Sequence, residues 1–398
     1  MLNSPGRSLA ILLVLGMCIA SCTAPRQASL PTVSLTLLDS IQHPSKLVSV
    51  QLHATGPDMI GYTTGEGKTA EAYVISESGK LEMLAQYSLT ERFGGARALT
   101  PVNISGTEFL LLGNKAENAL EVYRIESNGA LEKIHEVFDT DSTFIDEIVT
   151  IHAVELEGRH FIYAGGLDEG FSCFELTNAG KLIHIQSIAD TDAIHVHGMI
   201  GMSSMKIGDE LFLFTGAFFD NGVSSFRVME NGHLAHVASI EDDETLFLDG
   251  AFAVNTVQLG GRHFLLAGHR HTVHYKGIEG AAERYHGDGI NVFEVSANGE
   301  MTLHDQLKDD ENIRLKGNTR IELIQKNSQE ALVFIATRDD HGIQVCSMQE
   351  DGILRPIQSL DLGYGVYNGM TVQKLNGTWY LLVGAYEGST LELYEVGI

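Results

Sequence analysis

The residue types best suited to chemistry gather in one stretch, His269–Gly289 (HRHTVHYKGIEGAAERYHGDG). It packs four histidines, two tyrosines, two arginines and a lysine into 21 positions of a chain whose formal net charge is −26. His269–Lys276 alone holds three histidines, one arginine and one lysine, and no acid. Such a local reversal of sign attracts a carboxylate or sulfate group. The spacing His269-x-His271-x-x-His274, with His286 beyond it, also offers imidazoles to a divalent metal. The stretch therefore has three readings: a solvated loop, a wall of a ligand pocket, or a metal site.

What must position it is a repeat. A small turn of the form Gly-x-Leu/Met recurs at Gly79, Gly129, Gly180, Gly232, Gly299 and Gly352, at intervals of 50, 51, 52, 67 and 53. Asn128-Gly129, Asn231-Gly232, Asn298-Gly299 and Asp351-Gly352 are hairpin signals, because both residues tolerate positive φ. Between these turns run apolar segments such as Phe109–Gly113, Phe161–Gly165, Leu211–Gly216, Phe264–Gly268, Val333–Thr337 and Tyr380–Gly384. Near-continuous apolar runs of this length predict strands buried on both faces. The strands that follow, Leu120–Ile125, Gly222–Val228, Gly289–Val295 and Leu391–Val396, alternate and are expected to be half exposed.

The last unit stops after three strands. The missing fourth is at the other end of the chain, where Val33–Ile41 matches Leu182–Ile188 and Leu234–Ile240. Seven four-stranded antiparallel units then account for residues 33–398, with the amino-terminal strand completing the last. The prediction is an all-β, seven-bladed β-propeller, an architecture that leaves no long free edge. The interval of 67 places His269–Gly289 as an enlarged loop between the second and third strands of blade five. The blade pattern resembles seven-bladed propellers of the bacterial lactonase type, which implies lactone hydrolysis as one activity to consider.

In such a fold the loop between the second and third strands shares a face with the blade-to-blade connections. On that face the repeat aligns Asp146, His197, Asp249 and Lys316, with Tyr364 and Asn368 nearby and Arg97 and Arg320 a few residues further in. His195 and His197 are two residues apart, which puts both on one side of a strand. The expected ligand-binding set is His195, His197, Asp146, Asp249, Lys316, Asn368, His269 and His274. Catalytic candidates are His197, His271, Tyr275, Arg270 and Arg320: a histidine or tyrosine to move a proton, and a cation to neutralise a carboxylate. Those roles suit a lyase acting on a uronate-containing polymer. A metal-dependent lactone hydrolase would instead use acids and Asn near the axis, such as Asp146, Asp249 and Asn368. No Gly-x-Ser-x-Gly, Walker or Gly-x-Gly-x-x-Gly motif occurs. No cofactor follows from these motifs except a divalent metal, for which His269, His271, His274 and His286 are the candidates.

The amino terminus has separate business. Arg7 precedes an apolar run, Leu9–Ala20, too short to span a bilayer comfortably. The run ends in Ile19-Ala20-Ser21-Cys22, which resembles a bacterial lipobox. The resemblance implies a signal over residues 1–22, lipid on Cys22, a tether over residues 23–32, and an envelope location. Thr23, where inner-membrane retention would favour Asp, suits the outer membrane of a Gram-negative cell. Expected partners are the membrane, through that lipid, and a polar or anionic small molecule, glycan or envelope protein. A charge of −26 without a basic stripe excludes nucleic acid. Cys173 and Cys346 fall three blades apart and are expected to be buried, unpaired strand residues.

Overall fold

The computed structural model describes residues 32–55, 58–76, 78–89, 95–271 and 286–398. All regular elements among them are strands, 28 in number. They form seven four-stranded antiparallel blades in chain order, a seven-bladed β-propeller. Blade five, for example, comprises Ala251–Leu259, Arg262–His269, Gly289–Val295 and Met301–Lys308. The first strands of blades one and seven touch through one parallel bridge, Ser49 to Asn368. Closure is as expected: Ser34–Gln42 pairs antiparallel with Thr390–Gly397 and completes blade seven.

The Gly-x-Leu period has a packing cause. Gly180, Gly232, Gly299 and Gly352 adopt positive φ, from 75° to 86°. Each also lies against the second-strand phenylalanine of the preceding blade. A Cβ would stand 2.3 Å from the Phe161 ring at Gly232, and 2.4 Å from Phe212 at Gly299 and from Phe264 at Gly352. Only glycine meets both demands. The second strands are buried along nearly their whole length, as their apolar runs require.

The third strands depart from expectation. In blades two to six they are buried rather than half exposed, and only a residue near the far end, such as Arg124, Glu175 or Glu294, reaches partial or full exposure; in blade seven Glu392 and Glu395 are exposed in part or fully between buried neighbours, as expected. The alternation in their sequence has another origin. The third residue of each is polar, and in every blade but the second it meets the chain that crosses from one blade to the next. Ser172 Oγ accepts from Phe144 N at 2.8 Å, Ser224 Oγ from His195 N at 3.2 Å, Asn291 Oδ1 from Phe247 N at 3.3 Å and Gln344 Oε1 from Arg314 N at 3.1 Å. In blade seven the equivalent Glu392 accepts from Tyr364 Oη at 2.7 Å, and in blade one Glu71 meets His43 at 3.0 Å. Four crossings are further closed by an aspartate, whose carboxylate accepts from the amide six residues on: Asp139 from Ile145, Asp190 from Val196, Asp242 from Leu248 and Asp309 from Leu315. Much of the acidic composition on this face therefore satisfies backbone donors that lack a strand partner. Cys173 and Cys346 are buried and free, as expected.

Candidate functional site

The face that carries the crossings, here the top, closes the central channel with an apolar layer. Val48, Val149, Ile200, Phe252 and Tyr367 sit at or beside the starts of inner strands, and Phe218 joins them from the end of a second strand. Tyr367 of this layer stacks with Tyr386, with ring centres 5.3 Å apart and planes at 29°. Four cations surround the pair. Arg338 lies 4.6 Å from the Tyr386 ring centre and 5.7 Å from that of Tyr367. Lys46 stands 4.9 Å over Tyr386, and Arg97 and Arg270 approach Tyr367 at 5.9 and 6.0 Å. Among the described carboxylates, Glu66 shares the site: it accepts from Tyr386 Oη at 2.6 Å and pairs with Arg97 at 3.3 Å. Arg338 and Lys46 enter no ion pair with a described carboxylate. Cations near an aromatic face gain about 0.5–1 kcal/mol each when exposed, so the rings hold the four together against their mutual repulsion.

The backbone beneath is fixed. The residue just past each second strand hydrogen-bonds to the crossing: Phe218 N to Gly198 O, Arg270 N to Gly250 O, Arg338 N to Gly317 O and Tyr386 N to Gly365 O, each at 2.9 Å. This one repeat position supplies Glu66, Lys115, Phe218, Arg270, Arg338 and Tyr386. Lys115 is occupied by Glu147 at 2.7 Å. In the sequence these residues stand two positions past Gly113, Gly216, Gly268 and Gly384 of the second strands, or past Thr64 and Ala336 at the equivalent places. Alignment on the inner strands passed over Lys46, Tyr367, Tyr386 and Arg338.

The insert enters this face at its root. His269, Arg270 and His271 are buried, at 1%, 5% and 4% exposure, so the first three residues of the enlarged loop are no solvated segment. Burial pulls the His271 imidazole down, but Asp249 and Asp288 outweigh it and raise the group to about 9. Its Nδ1 lies 3.2 Å from Asp249 and its Nε2 2.9 Å from Asp288. His269 is pulled down to about 4 by burial and by the neighbouring His271. His274 and Tyr275 lie outside the described residues. His286 is exposed, and Asp288 occupies the buried position beside the two histidines.

The other expected residues are dispersed. His195 and His197 flank buried Val196 in a crossing, before the inner strand begins at Met199, so no strand puts them on one side. The His197 ring packs on Phe219 at 4.9 Å, and its amide donates to Asp220 at 2.7 Å. Asp146 caps the amide of Glu147 at 3.0 Å. Lys316 is half exposed beside Asp309 and Asp340, at 3.8 and 4.0 Å. Arg320 and Asn368 belong to the channel below the apolar layer, where they share a 3.3 Å hydrogen bond. That cavity holds about 300 Å³ and is lined by Gln51, His152, Asn255 and Glu322 among others. Arg320 is spent there on Glu322 at 2.7 Å. Burial, with Arg320 adding to it, pushes His152 down to about 4. The described charges of the channel are thus paired with one another.

No protein-family model matches the sequence, and no curated protein matches it. Among solved structures, the chain is similar to a protein from Lactobacillus plantarum. The TM-score is 0.59 at 14% identity, over 79% of this chain and 84% of the other. At that identity the likeness speaks to the propeller fold alone.

Proposed function

We propose that this propeller is held at the cell envelope by lipid on Cys22 and binds an anionic ligand, a carboxylate- or sulfate-bearing small molecule or glycan, on its top face. The observation that carries the reading is the gathering of Lys46, Arg97, Arg270 and Arg338 about the stacked Tyr367 and Tyr386, with Glu66 as the one described carboxylate among them, in a chain of net charge −26. A uniform surface charge keeps such a chain soluble; a cluster of the opposite sign opposes it and focuses anions. Guanidinium groups pair with carboxylate or sulfate in planar geometry. The lyase and lactone-hydrolase readings draw less support. They need a base with a free lone pair, and both ring nitrogens of His271 already face carboxylates. His197, Arg320 and Arg270 do not share one pocket wall. The test is retention of the full-length protein on immobilised polygalacturonate and dextran sulfate against neutral dextran. Salt-sensitive retention on the anionic supports alone is expected; equal behaviour on all three would overturn the reading.

A further inference from the structure

We propose that His269, His271 and Asp288 bind a divalent transition-metal ion of the zinc class at the foot of the blade-five insert. The chain leaves the second strand at His269 and rejoins the third at Gly289, so the two ends of the insert meet here. One ligand atom from each of the three residues lies within 4.8 Å of the other two. His271 Nε2 and Asp288 Oδ1 are 2.9 Å apart, and the His269 and His271 rings meet edge to face at 4.6 Å. All three side chains are buried. Metal bonds of about 2.0–2.2 Å at tetrahedral angles separate donor atoms by roughly 3.3–3.5 Å. Small side-chain rotations therefore suffice to seat an ion.

A second observation concerns the other ring nitrogens. His269 Nδ1 lies 3.3 Å from the backbone carbonyl of Asp249, and His271 Nδ1 lies 3.2 Å from the carboxylate of the same residue. One residue of the preceding crossing thus offers an acceptor to both outer nitrogens. That arrangement favours Nδ1–H on both rings, as the supporting shell of a metal-bound histidine does; His269 Nε2 already accepts a hydrogen bond, and His271 Nε2 would turn its lone pair to the ion on giving up the proton it shares with Asp288. Asp249 is a positioning residue, not a ligand. Among the described contacts, the ion would displace two: the Gly289 N–H bond to His269 Nε2 at 3.3 Å and the proton shared by His271 Nε2 and Asp288 Oδ1 at 2.9 Å.

Two imidazoles and one carboxylate suit zinc and its first-row neighbours. They do not suit calcium or magnesium, which take oxygen ligands. Three protein ligands leave a coordination position for water or for a group of a bound molecule. Arg270, between the two histidines, reaches toward Tyr367, so the ion would lie beside the cation cluster. The metal proposal stands without the anion reading, because none of its three ligands belongs to that cluster.

The experiment is calorimetric titration of chelator-treated, dialysed full-length protein with zinc chloride, with metal content measured by mass spectrometry after gel filtration. One saturable equivalent is expected. H269Q and H271A should lose it. D249N should keep the stoichiometry with an affinity about 10–100-fold weaker. H236A, which removes an exposed histidine of an outer strand, should match the wild type. Should H271A fail to fold, H269Q decides, since glutamine keeps a polar group there without an imidazole. Absence of a saturable equivalent in the wild type, or full binding by H269Q, overturns the proposal. Loss of zinc binding with anion retention intact would leave the ligand reading standing, so the two can fail separately.

Discussion

Replacement of His43 by alanine should unfasten the closure of the ring. His43 follows the amino-terminal strand, and its amide donates to Ser389 O at 2.7 Å. Its Nε2 lies 3.0 Å from Glu71 Oε2 on the third strand of blade one, with neither side chain exposed. Glu71 also accepts from Gln86 at 3.1 Å, Thr63 at 3.3 Å and Thr69. Burial pushes this carboxyl up, but the hydrogen bonds from His43, Thr69 and Gln86 outweigh it and hold the group below its ordinary range. Removal of one member of a buried pair costs about 3–5 kcal/mol. Three neutral donors remain to Glu71, which places H43A at the low end, about 3 kcal/mol. The sign with pH follows. A lowered carboxylate contributes stability above its unfolded value near 4.5 and loses it as pH falls through the folded value. The penalty should therefore be full at neutral pH and shrink on acidification. Denaturant unfolding followed by Trp379 fluorescence reads it directly, since Trp379 is the single tryptophan and lies in the closing blade. E71Q in the H43A background should recover part of the loss. A change below about 1 kcal/mol at neutral pH, or one that grows with acid, would refute the clasp.

Other expectations follow from the same physics. Burial and a hydrogen bond with Asp190 push Asp220 up to about 7, so its ionised form opposes folding. The rise from 3.8 has an upper bound of roughly 4 kcal/mol at about 1.4 kcal/mol per pH unit. Solvent screening at this half-buried group reduces it to about 1–2 kcal/mol. D220N should raise the melting temperature at pH 8, with a gain that vanishes as pH falls toward 4; a gain that grows with acid contradicts the sign. Cys173 and Cys346 are buried, and burial pushes both thiols up to about 12. A thiol reagent should label neither until the protein unfolds, and rapid labelling of the native state would place them wrongly.

The propeller was legible because its repeat answers two local constraints at once. Gly232 and its equivalents need positive φ and must also admit a neighbouring phenylalanine, so glycine recurs at a fixed interval. Closure was legible from a strand count, because Val33–Ile41 has the pattern of a fourth strand and nothing else to pair with. The burial of the third strands was hidden. A polar residue every second position reads the same whether it meets solvent or, as Ser224 does, an amide of the crossing above it. The candidate site was only partly visible. Arg270 stood out by composition, but Lys46, Arg97, Arg338, Tyr367 and Tyr386 come from four other blades and form no local motif. His269 and His271 suggested an open loop, and their burial depends on Asp249 and Asp288, which ordinary turn chemistry explains equally well in sequence.

The central claim is that the top cluster, rather than overall charge, recognises an anion. The direct test compares the K46A/R338A variant with a K181A/K206A control, in which two exposed lysines elsewhere are removed. The two variants have equal net charge, and binding to the anionic glycan that retains the wild type is measured at fixed salt. A cation about 4 Å from an anion at a protein surface contributes about 1–4 kcal/mol. Loss of two should weaken binding of the K46A/R338A variant by at least tenfold, while the control stays near wild type. Equal affinities for the two variants would contradict the account.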